Sequence, residues 1–357
     1  MALIKRLQDW LYDRPATVLG IDFSAAALKL VSMRIDQTPG CVDKLAAVDW
    51  PPALAEGAWL AQPEEAALFL KQCLSMHGIN ARQAVVSVSS RVAFVREIDF
   101  PMMSEDELAS AMQWDIEQYI PLTPGSYYYD YLPAGSGKSE LEMKVLLFAA
   151  PKEWVDTVAR IIEQAGLKLT AVETEAMALK RLVPGLTDYL LLDMGNATSQ
   201  LTVFQRGLPV AQRNIPIGSA YFTQALADYL GEPSEEAERI KRYRPDEAAG
   251  LCQQAEEGRS AFQALGREVN RTVEYYRINN SAAAFSAVVI TGGGWLPAGG
   301  EGLAAFLNTS IQTLAPFQHV GLSRTQWDAE FLTRLEPRLA VAVGLCLREV
   351  QCHEAND

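Results

Sequence analysis

An aspartate at the end of an apolar strand, closely followed by a glycine turn, is the pattern in this sequence that could do chemistry. In the stretch 189–213, YLLLDMGNATSQLTVFQRGLPVAQR, the apolar run 190–192 ends on Asp193, and 195–197 form a turn before a second strand. Glycine there lets the backbone approach a phosphate, and the carboxylate can hold a hydrated Mg²⁺ or position a water. A plain β-meander turn explains the same residues, and on this segment alone it is the favoured interpretation.

A second copy of this pattern lies near the N-terminus. The stretch 17–31, TVLGIDFSAAALKLV, brings an apolar strand to Asp22, then a small-residue turn at 24–27 and another strand. Two such units, one in each half of the chain, predict a duplicated scaffold with a cleft between the halves. A third segment, VVITGGGWLP at 288–297, runs an apolar strand into three glycines, where bare backbone would let a flat ring or a phosphate approach.

The composition is that of a globular protein with more than one domain. The chain has 357 residues, of which 49% are hydrophobic and 21% charged, so it can bury a large core. The net charge of −13 argues against a general nucleic-acid binder. Five scattered cysteines without a CxxC pair suit a reducing cytosol, and three distant histidines offer neither a zinc motif nor a catalytic triad.

The first 14 residues, MALIKRLQDWLYDR, lack the continuous apolar core of a signal peptide. Leu3, Leu7, Trp10 and Leu11 fall on one face of a predicted helix. Two interpretations stay open: a helix packed on the body of the protein, or a short amphipathic helix that contacts a membrane or a partner. The sequence has no run of 18 uninterrupted apolar residues, so it predicts no transmembrane helix.

The elements that must position these residues can be placed from periodicity and turn signals. The stretch 101–121 is an amphipathic helix with Ser104 as N-cap and Glu107 three residues later, as in a capping box. In the stretch 167–182, Glu173 and Glu175 lie where a strand becomes a helix. The remaining predictions are strands near 45–48, 84–88, 92–100, 127–132 and 143–150, and helices near 63–76, 154–165, 215–230, 255–280 and 337–349.

The two aspartate units and the glycine segment resemble the phosphate-1, phosphate-2 and adenosine motifs of the actin-like ATPase superfamily. The chain as a whole resembles the PilM family of type IV pilus assembly proteins, which are related to the cell-division protein FtsA. The resemblance covers nearly the whole chain and rests on GIDFSAAALKLV at 20–31, REIDFPMMSEDELASAMQWDIEQYIP at 96–121, AAPKEWVDTVARIIEQAGLKLTAVETEAMAL at 149–179, LLLDMGNATSQLTVFQRGLPVAQRNIPIG at 190–218, VNRTVEYY at 269–276, ITGGGWLPAGGEGLAAFL at 290–307 and LAVAVGLCLRE at 339–349.

This resemblance implies an α/β fold of two actin-like, RNase H-like domains around a nucleotide cleft, with a small α/β insert. The implied division is 1–15 for the N-terminal amphipathic segment, 16–83 and 167–186 for the first domain, 84–166 for the insert, 187–337 for the second domain, and 338–357 for a helix returning to the first domain with its tail.

The resemblance also implies a function. PilM proteins are cytoplasmic, bind ATP with Mg²⁺ and dock the cytoplasmic N-terminal peptide of the inner-membrane protein PilN, which associates them peripherally with that membrane. Contact with the pilus motor ATPase and self-association are further implications. Hydrolysis is weak or absent in the family, so enzymatic activity is left open. The alternative is an FtsA-like ATPase that forms filaments at the membrane, and a sugar or acetate kinase is a weaker option because no motif for it is present.

The motifs assign candidate residues to the nucleotide and the metal. Asp22 and Asp193 are expected to hold Mg²⁺, mainly through water. Where relatives carry hydroxyl residues in the first turn, this chain has Ala25 and Ala26, so we expect weak nucleotide binding. The predicted nucleotide-binding residues are Asp22, Ser24, Lys29, Asp193, Gly195, Asn196, Thr198, Glu268, Arg271, Gly292, Gly293 and Gly294.

Overall fold

A six-stranded mixed sheet forms the first half of the protein. The computed structural model describes residues 17–137, 139, 141–280, 284–296, 300–323 and 327–354, so the predicted amphipathic segment 1–15 lies outside the described residues. The strand order is β14-β3-β2-β1-β4-β8. β1 to β3 are antiparallel, whereas β4 and β8 run parallel to β1. The bounds are Thr17–Phe23 for β1, Ala27–Arg34 for β2, Cys41–Asp49 for β3, Gln83–Val88 for β4, Lys168–Thr174 for β8 and Gly321–Leu322 for β14.

The second half repeats this plan in a five-stranded sheet of order β11-β10-β9-β12-β13. β9 to β11 are again antiparallel and are followed by strands parallel to β9. The bounds are Tyr189–Met194 for β9, Ser199–Gln205 for β10, Leu208–Ile215 for β11, Val288–Thr291 for β12 and Ile311–Thr313 for β13. The two strand–Asp–turn–strand units are thus β1–β2 and β9–β10, in equivalent positions of two similar sheets, which confirms the predicted duplication.

A three-stranded antiparallel sheet of order β5-β7-β6 forms the insert. Its strands are β5 (Phe94–Pro101), β6 (Tyr127–Ser136) and β7 (Glu142–Pro151), and α2 (Glu105–Asp115) covers one face with Leu108 and Met112. Ser104 accepts from the backbone N–H of Glu107, and the Glu107 carboxylate accepts from the backbone N–H of Ser104. The predicted capping box is therefore present.

The bounds of the insert differ from the predicted 84–166. β4 lies between β1 and β8 in the six-stranded sheet. The helix α3 (Lys152–Gln164) buries Trp154 and Ile161 in the core of that sheet. Both ends of the predicted insert therefore belong to the larger sheet, because these apolar faces match its core. The predicted second domain, 187–337, likewise includes β14, which pairs with β3 of the first sheet.

Helices cover both faces of the first sheet. α1 (Pro63–Met76) and α3 pack on one face, and α4 (Glu175–Lys180) and α10 (Ala329–Glu354) pack on the other. α10 begins eight residues before the predicted start at 337 and contains Pro337, since Leu335 is buried in the core of the first sheet and holds the preceding turns in place. None of the described helices is long and apolar enough to cross a membrane.

The second sheet is covered by five helices among the described residues. They are α5 (Ser219–Leu230), α6 (Ser234–Tyr243), α7 (Pro245–Gln254), α8 (Glu256–Asn279) and α9 (Gly300–Leu307). Short 3₁₀ turns occur at Ala55–Leu60, Ile116–Gln118 and Pro316–His319. The apolar side of these helices and the strand residues Leu192, Leu201 and Ile290 form one continuous core.

Candidate functional site

The ends of several strands from both large sheets bring charged side chains together. Asp22 lies near the end of β1, Glu175 directly follows β8, and Asp193 lies near the end of β9. Lys29, on β2, is the register partner of Asp22. Lys29 interacts electrostatically with all three carboxylates, so these four residues form one cluster between the sheets.

Within this cluster Asp22 is fully engaged by protein groups. Lys29 Nζ donates to its Oδ2 at 2.8 Å, and Ser87 Oγ on β4 donates to its Oδ1 at 3.2 Å. Burial works against the charge of Lys29, but the attraction of Asp22 and Asp193 outweighs it and raises the lysine pKa. Asp22 therefore acts as the partner of Lys29, and its oxygens are less available to a metal than the prediction assumed.

Glu175 is the acid that the sequence-based list missed. It opens α4, where Thr174 is the N-cap, and its Oε2 accepts from the backbone N–H of Ser90 at 2.9 Å and from Ser90 Oγ at 3.0 Å. Burial, with repulsion from Asp22 and Asp193, raises the pKa of Glu175 to about 8. The sequence feature that could have identified Glu175 is its position directly after a parallel strand. Glu173, two residues earlier, instead forms a bidentate pair with Arg181.

Asp193 faces the same space. Burial raises its pKa to about 6; Lys29 lowers it, and Asp22 adds repulsion. A small cavity of about 10 Å³ separates Asp193 from Glu175, which is room for one water. Gln200 lines this cavity, and its buried Oε1 has no hydrogen-bond partner among the described residues.

The charge balance of the cluster fits a divalent cation. Three carboxylates face one lysine, and burial together with repulsion from neighbouring carboxylates raises the pKa values of Glu175 and Asp193. Mg²⁺ takes one or two carboxylates and keeps several waters, so a site of this kind needs no third protein ligand. Among the described residues, no group of three or more histidine, cysteine or acidic side chains is arranged as a metal site. The geometry favours Asp193 and Glu175 over Asp22 as the carboxylates that could hold a divalent cation.

The first turn is closed by its own serine. Ser24 Oγ donates to the carbonyl of Ala27 at 2.8 Å and accepts from the Ala27 N–H at 3.2 Å. The carbonyls of Ala25 and Ala26 accept from Glu56 and Trp50. The Ser24 hydroxyl is therefore used within the turn.

The second turn is tied to the start of α5. Gly195 N–H donates to the carbonyl of Thr198 at 3.0 Å. The carbonyls of Gly195 and Asn196 accept from the first N–H groups of α5, those of Ser219 and Ala220. The Gly195 N–H is therefore hydrogen-bonded within the turn, and the N-terminus of α5 lies beside the cluster.

The glycine turn lies beside Asp193, because β12 is the neighbour of β9 and Thr291 pairs with Asp193. Gly292 has φ +98°, and a Cβ there would lie 2.4 Å from Asp193 Oδ1, so only glycine fits. A Cβ at Gly294 would lie 2.6 Å from Ser219 Cβ. Gly292 and Gly294 therefore let the adenosine-like segment pack against Asp193 and the second turn.

Glu268 and Arg271 are not brought to this site. Glu268 on α8 pairs with Arg213 of β11 at 2.6 Å, and Arg271 lies 3.9 Å from Glu268. β11 is three strands away from β12, roughly 14 Å at ordinary strand spacing. Arg213 supplies the charge partner that the sequence could not reveal, so these two residues lie outside the carboxylate cluster, and their contact with a nucleotide stays a prediction.

One buried lysine near the cluster was also missed. Lys241 on α6 is buried, and its Nζ donates to the carbonyl of Ser219 at 3.0 Å and to Glu238 Oε2 at 2.9 Å. It thereby joins α6 to the first turn of α5. The charged stretch around it gave no signal that distinguished this lysine from its solvated neighbours.

Comparisons with known proteins agree with this architecture. The solved PilM-PilN type IV pilus biogenesis complex is 26% identical, with a TM-score of 0.77, covering 93% of this chain and 98% of that chain. MreB5 of Spiroplasma citri bound to AMPPNP is 12% identical, with a TM-score of 0.51 over 96% of this chain and 99% of that one, and shares the fold.

Curated relatives are cell-division proteins. FtsA of Helicobacter pylori is 23% identical over 253 residues, 62% of this chain and 50% of that protein. This chain spans half the length, or less, of the curated relatives that it matches. The family described as type IV pilus assembly protein PilM matches residues 20–350. The chain belongs to the type IV pilus assembly protein PilM family.

Proposed function

We propose that this chain is a nucleotide-binding scaffold of a type IV pilus assembly machine, which docks the cytoplasmic N-terminal peptide of a PilN-like inner-membrane protein. The observation that carries this proposal is the similarity to the PilM-PilN complex. This similarity covers 93% of the chain, so it extends over all three sheets. The chain would act on the cytoplasmic side of the inner membrane and be held there through its partner.

ATP would lie between the two large sheets. Its phosphates would face the turns at 24–27 and 195–198, and its adenosine would face the glycine turn at 292–294. Lys29 would meet the phosphates from its position beside Asp22. Gly292 and Gly294 support this placement, because without side chains they let this turn lie directly beside Asp193 and the second turn.

Mg²⁺ would be held by Asp193 and Glu175, mostly through water, and would neutralise phosphate charge when bound. These two carboxylates would exchange protons for the ion, since burial and carboxylate repulsion raise their pKa values and a bound cation would offset both effects. Little or no turnover is expected, because Glu175 Oε2 already accepts two hydrogen bonds from Ser90 and the first turn lacks hydroxyls at 25 and 26.

The peptide groove would lie where the three-stranded sheet meets the first sheet. Tyr128 of β6 donates to Asp156 of α3 at 3.0 Å, and Lys152 Nζ lies 5.4 Å from the centre of the Tyr128 ring. Tyr128 is 47% exposed, and Tyr129, which points to the opposite face of the strand, is 38% exposed. Partly exposed tyrosines combine apolar contact with a polar tip, which suits an extended peptide held by backbone bonds and pockets.

A binding measurement tests the proposal. We expect the labelled N-terminal peptide of the PilN-like partner to bind the full chain in fluorescence anisotropy, and Tyr128→Ala to weaken binding roughly tenfold as an interface tyrosine. Tyr229→Ala, on α5 in the other half, is the matched control, since Tyr229 is 46% exposed against 47% for Tyr128, and it should bind normally. No binding by the unmodified chain, or equal losses in both variants, would refute the docking function.

An FtsA-like filament former is the alternative that the curated relatives favour. It predicts robust steady-state ATP hydrolysis and sedimentable polymers, whereas the scaffold predicts neither. Contact with the pilus motor ATPase and self-association belong to the proposal as further partners, and the same sedimentation assay reports on self-association.

A further inference from the structure

A groove of about 360 Å³ lies where β3, α6 and α10 meet, outside the carboxylate cluster. None of the residues predicted to bind the nucleotide lines it. Arg338 does lie against the glycine turn, since a Cβ at Gly293 would be 2.8 Å from its Cγ, so groove and cluster are neighbours. The lining residues are Lys44, Leu45, Ala46, Ala47, His77, Arg242, Tyr243, Trp327, Phe331, Arg334, Leu335 and Arg338.

The groove is cationic in an acidic protein. Lys44, Arg242, Arg334 and Arg338 contribute positive charge, and none of the described lining residues is acidic. The whole chain has a net charge of −13. Asp49 pairs with two of these cations, but the described lining residues include no acid, so the groove would attract an anionic ligand.

The guanidinium groups are held in place before any ligand arrives. The Arg334 guanidinium carbon lies 5.1 Å from the centre of the Tyr243 ring and 5.6 Å from that of Phe331. Asp49, at the end of β3, accepts from Arg242 at 3.3 Å and from Arg338 at 2.9 Å. Positioned guanidiniums lose little conformational freedom when they bind an anion, which favours affinity.

We propose that this groove binds a phosphate-bearing small molecule of about the size of one nucleotide. The volume falls within the range of small-molecule sites. Three guanidiniums and one ammonium, with Asp49 bound to Arg242 and Arg338 and Glu238 3.9 Å from Arg242, match a ligand that concentrates several charges in a small space, as linked phosphates do. Tyr243, Phe331 and Trp327 offer faces against which a flat ring would stack.

The test uses inorganic pyrophosphate and the full chain, by titration calorimetry at low salt without divalent cations. We expect pyrophosphate to bind, and Arg334→Gln to weaken it at least tenfold through loss of a charge-assisted contact. Lys44→Gln, on a different element, should weaken it as well and covers the case in which the first variant fails to fold. Arg239→Gln is the matched control, since this exposed arginine of α6 pairs with Glu236 away from the groove.

Two further arms separate the sources of binding. Lys29→Gln removes the cation that would meet the phosphates in the nucleotide cleft, and it should leave pyrophosphate affinity unchanged. A loss in this variant with normal binding by Arg334→Gln would assign the anion to the cleft and overturn the proposal. Metal-free ADP should bind Lys29→Gln more tightly than pyrophosphate does, because its ring stacks. If the chain sediments with phosphatidylglycerol vesicles, loses this binding in Arg334→Gln and is not displaced by pyrophosphate, the ligand is a lipid headgroup. That result would overturn the small-molecule assignment.

Discussion

At the scale of single residues, Glu175 and Asp193 control how stability responds to pH. Their folded-state pKa values, about 8 and about 6, exceed the ordinary values of 4.5 and 3.8. The folded state therefore binds these protons more tightly than the unfolded chain does. The associated stability is complete below the ordinary pKa and is lost as pH rises through the folded one. We expect the unfolding free energy of the ligand-free protein to fall between pH 4.5 and pH 8.

Glu175→Gln should remove most of this slope. The amide keeps an oxygen to accept from Ser90 and carries no charge, so the melting temperature should rise at pH 8 and stay nearly unchanged at pH 5. Glu163→Gln, an exposed glutamate of α3, is the control and should keep the slope of the unmodified protein. Parallel melting curves for both variants from pH 5 to pH 8 would contradict this account of the cluster.

The two alanines of the first turn set the expected nucleotide affinity. Ala25 and Ala26 have exposed side chains, so hydroxyls can be added without disturbing the core. Ala25→Ser with Ala26→Thr should tighten Mg-ATP binding roughly tenfold or more, because a hydrogen bond to a charged phosphate contributes about 1.5–3 kcal/mol. Calorimetry compares this variant with Ala53→Ser, an exposed alanine outside the turn. Unchanged affinity would mean that the phosphates do not reach this turn.

At the scale of elements, the capping box of α2 anchors the insert. Ser104→Ala removes the hydroxyl that accepts from the backbone N–H of Glu107, at a cost of about 1 kcal/mol for a lost N-cap. We expect faster amide hydrogen exchange in α2 and unchanged exchange in α5, which has no side-chain cap. Ser110→Ala on the exposed side of the same helix is the control. Equal exchange in α2 for both variants would show that other contacts fix this helix.

Elements were predictable wherever local signals agreed with burial. The β1–β2 and β9–β10 units and α2 were placed from apolar runs, turn residues and a cap. The start of α10 was not, because Pro337 resembles a helix start and the packing of Leu335 that overrides it is a long-range contact. The ends of the insert were also missed, since nothing local distinguishes β4 from a strand of the smaller sheet.

At the scale of the whole molecule, the sequence predicted which strand ends carry acids but not how their charges pair. The partners of Asp22 and Glu268 are Lys29 and Arg213, seven and 55 residues away. The Asp22–Lys29 pair could be predicted from the register of β1 and β2. The Glu268–Arg213 pair depends on how α8 packs on β11. Glu175 had a local signal but became significant only when the two sheets brought it to Asp193.

Arg206 joins the insert to the second half of the molecule. It opens the two-residue loop between β10 and β11, with φ +55°, followed by Gly207 with φ +72°. Such loops prefer Asn-Gly, so arginine is a poor choice for the turn itself. Arg206 donates to Glu97 of β5 at 3.2 Å, and Glu97 is half-buried and also paired with Lys144. We infer that the arginine is kept for this contact at the expense of the turn.

Arg206→Asn separates the two effects, because it suits the turn and removes the contact. The pair is partly exposed and contributes less than about 1 kcal/mol, so the overall melting temperature should barely change. Glu97 would keep only Lys144, and we expect amide hydrogen exchange in β5 to accelerate while exchange in the β10–β11 hairpin slows or stays constant. Arg206→Lys, which keeps the charge in the same strained turn, should preserve the protection of β5. If β5 exchanged at the same rate in all three proteins, the insert would be held against the second half by packing alone.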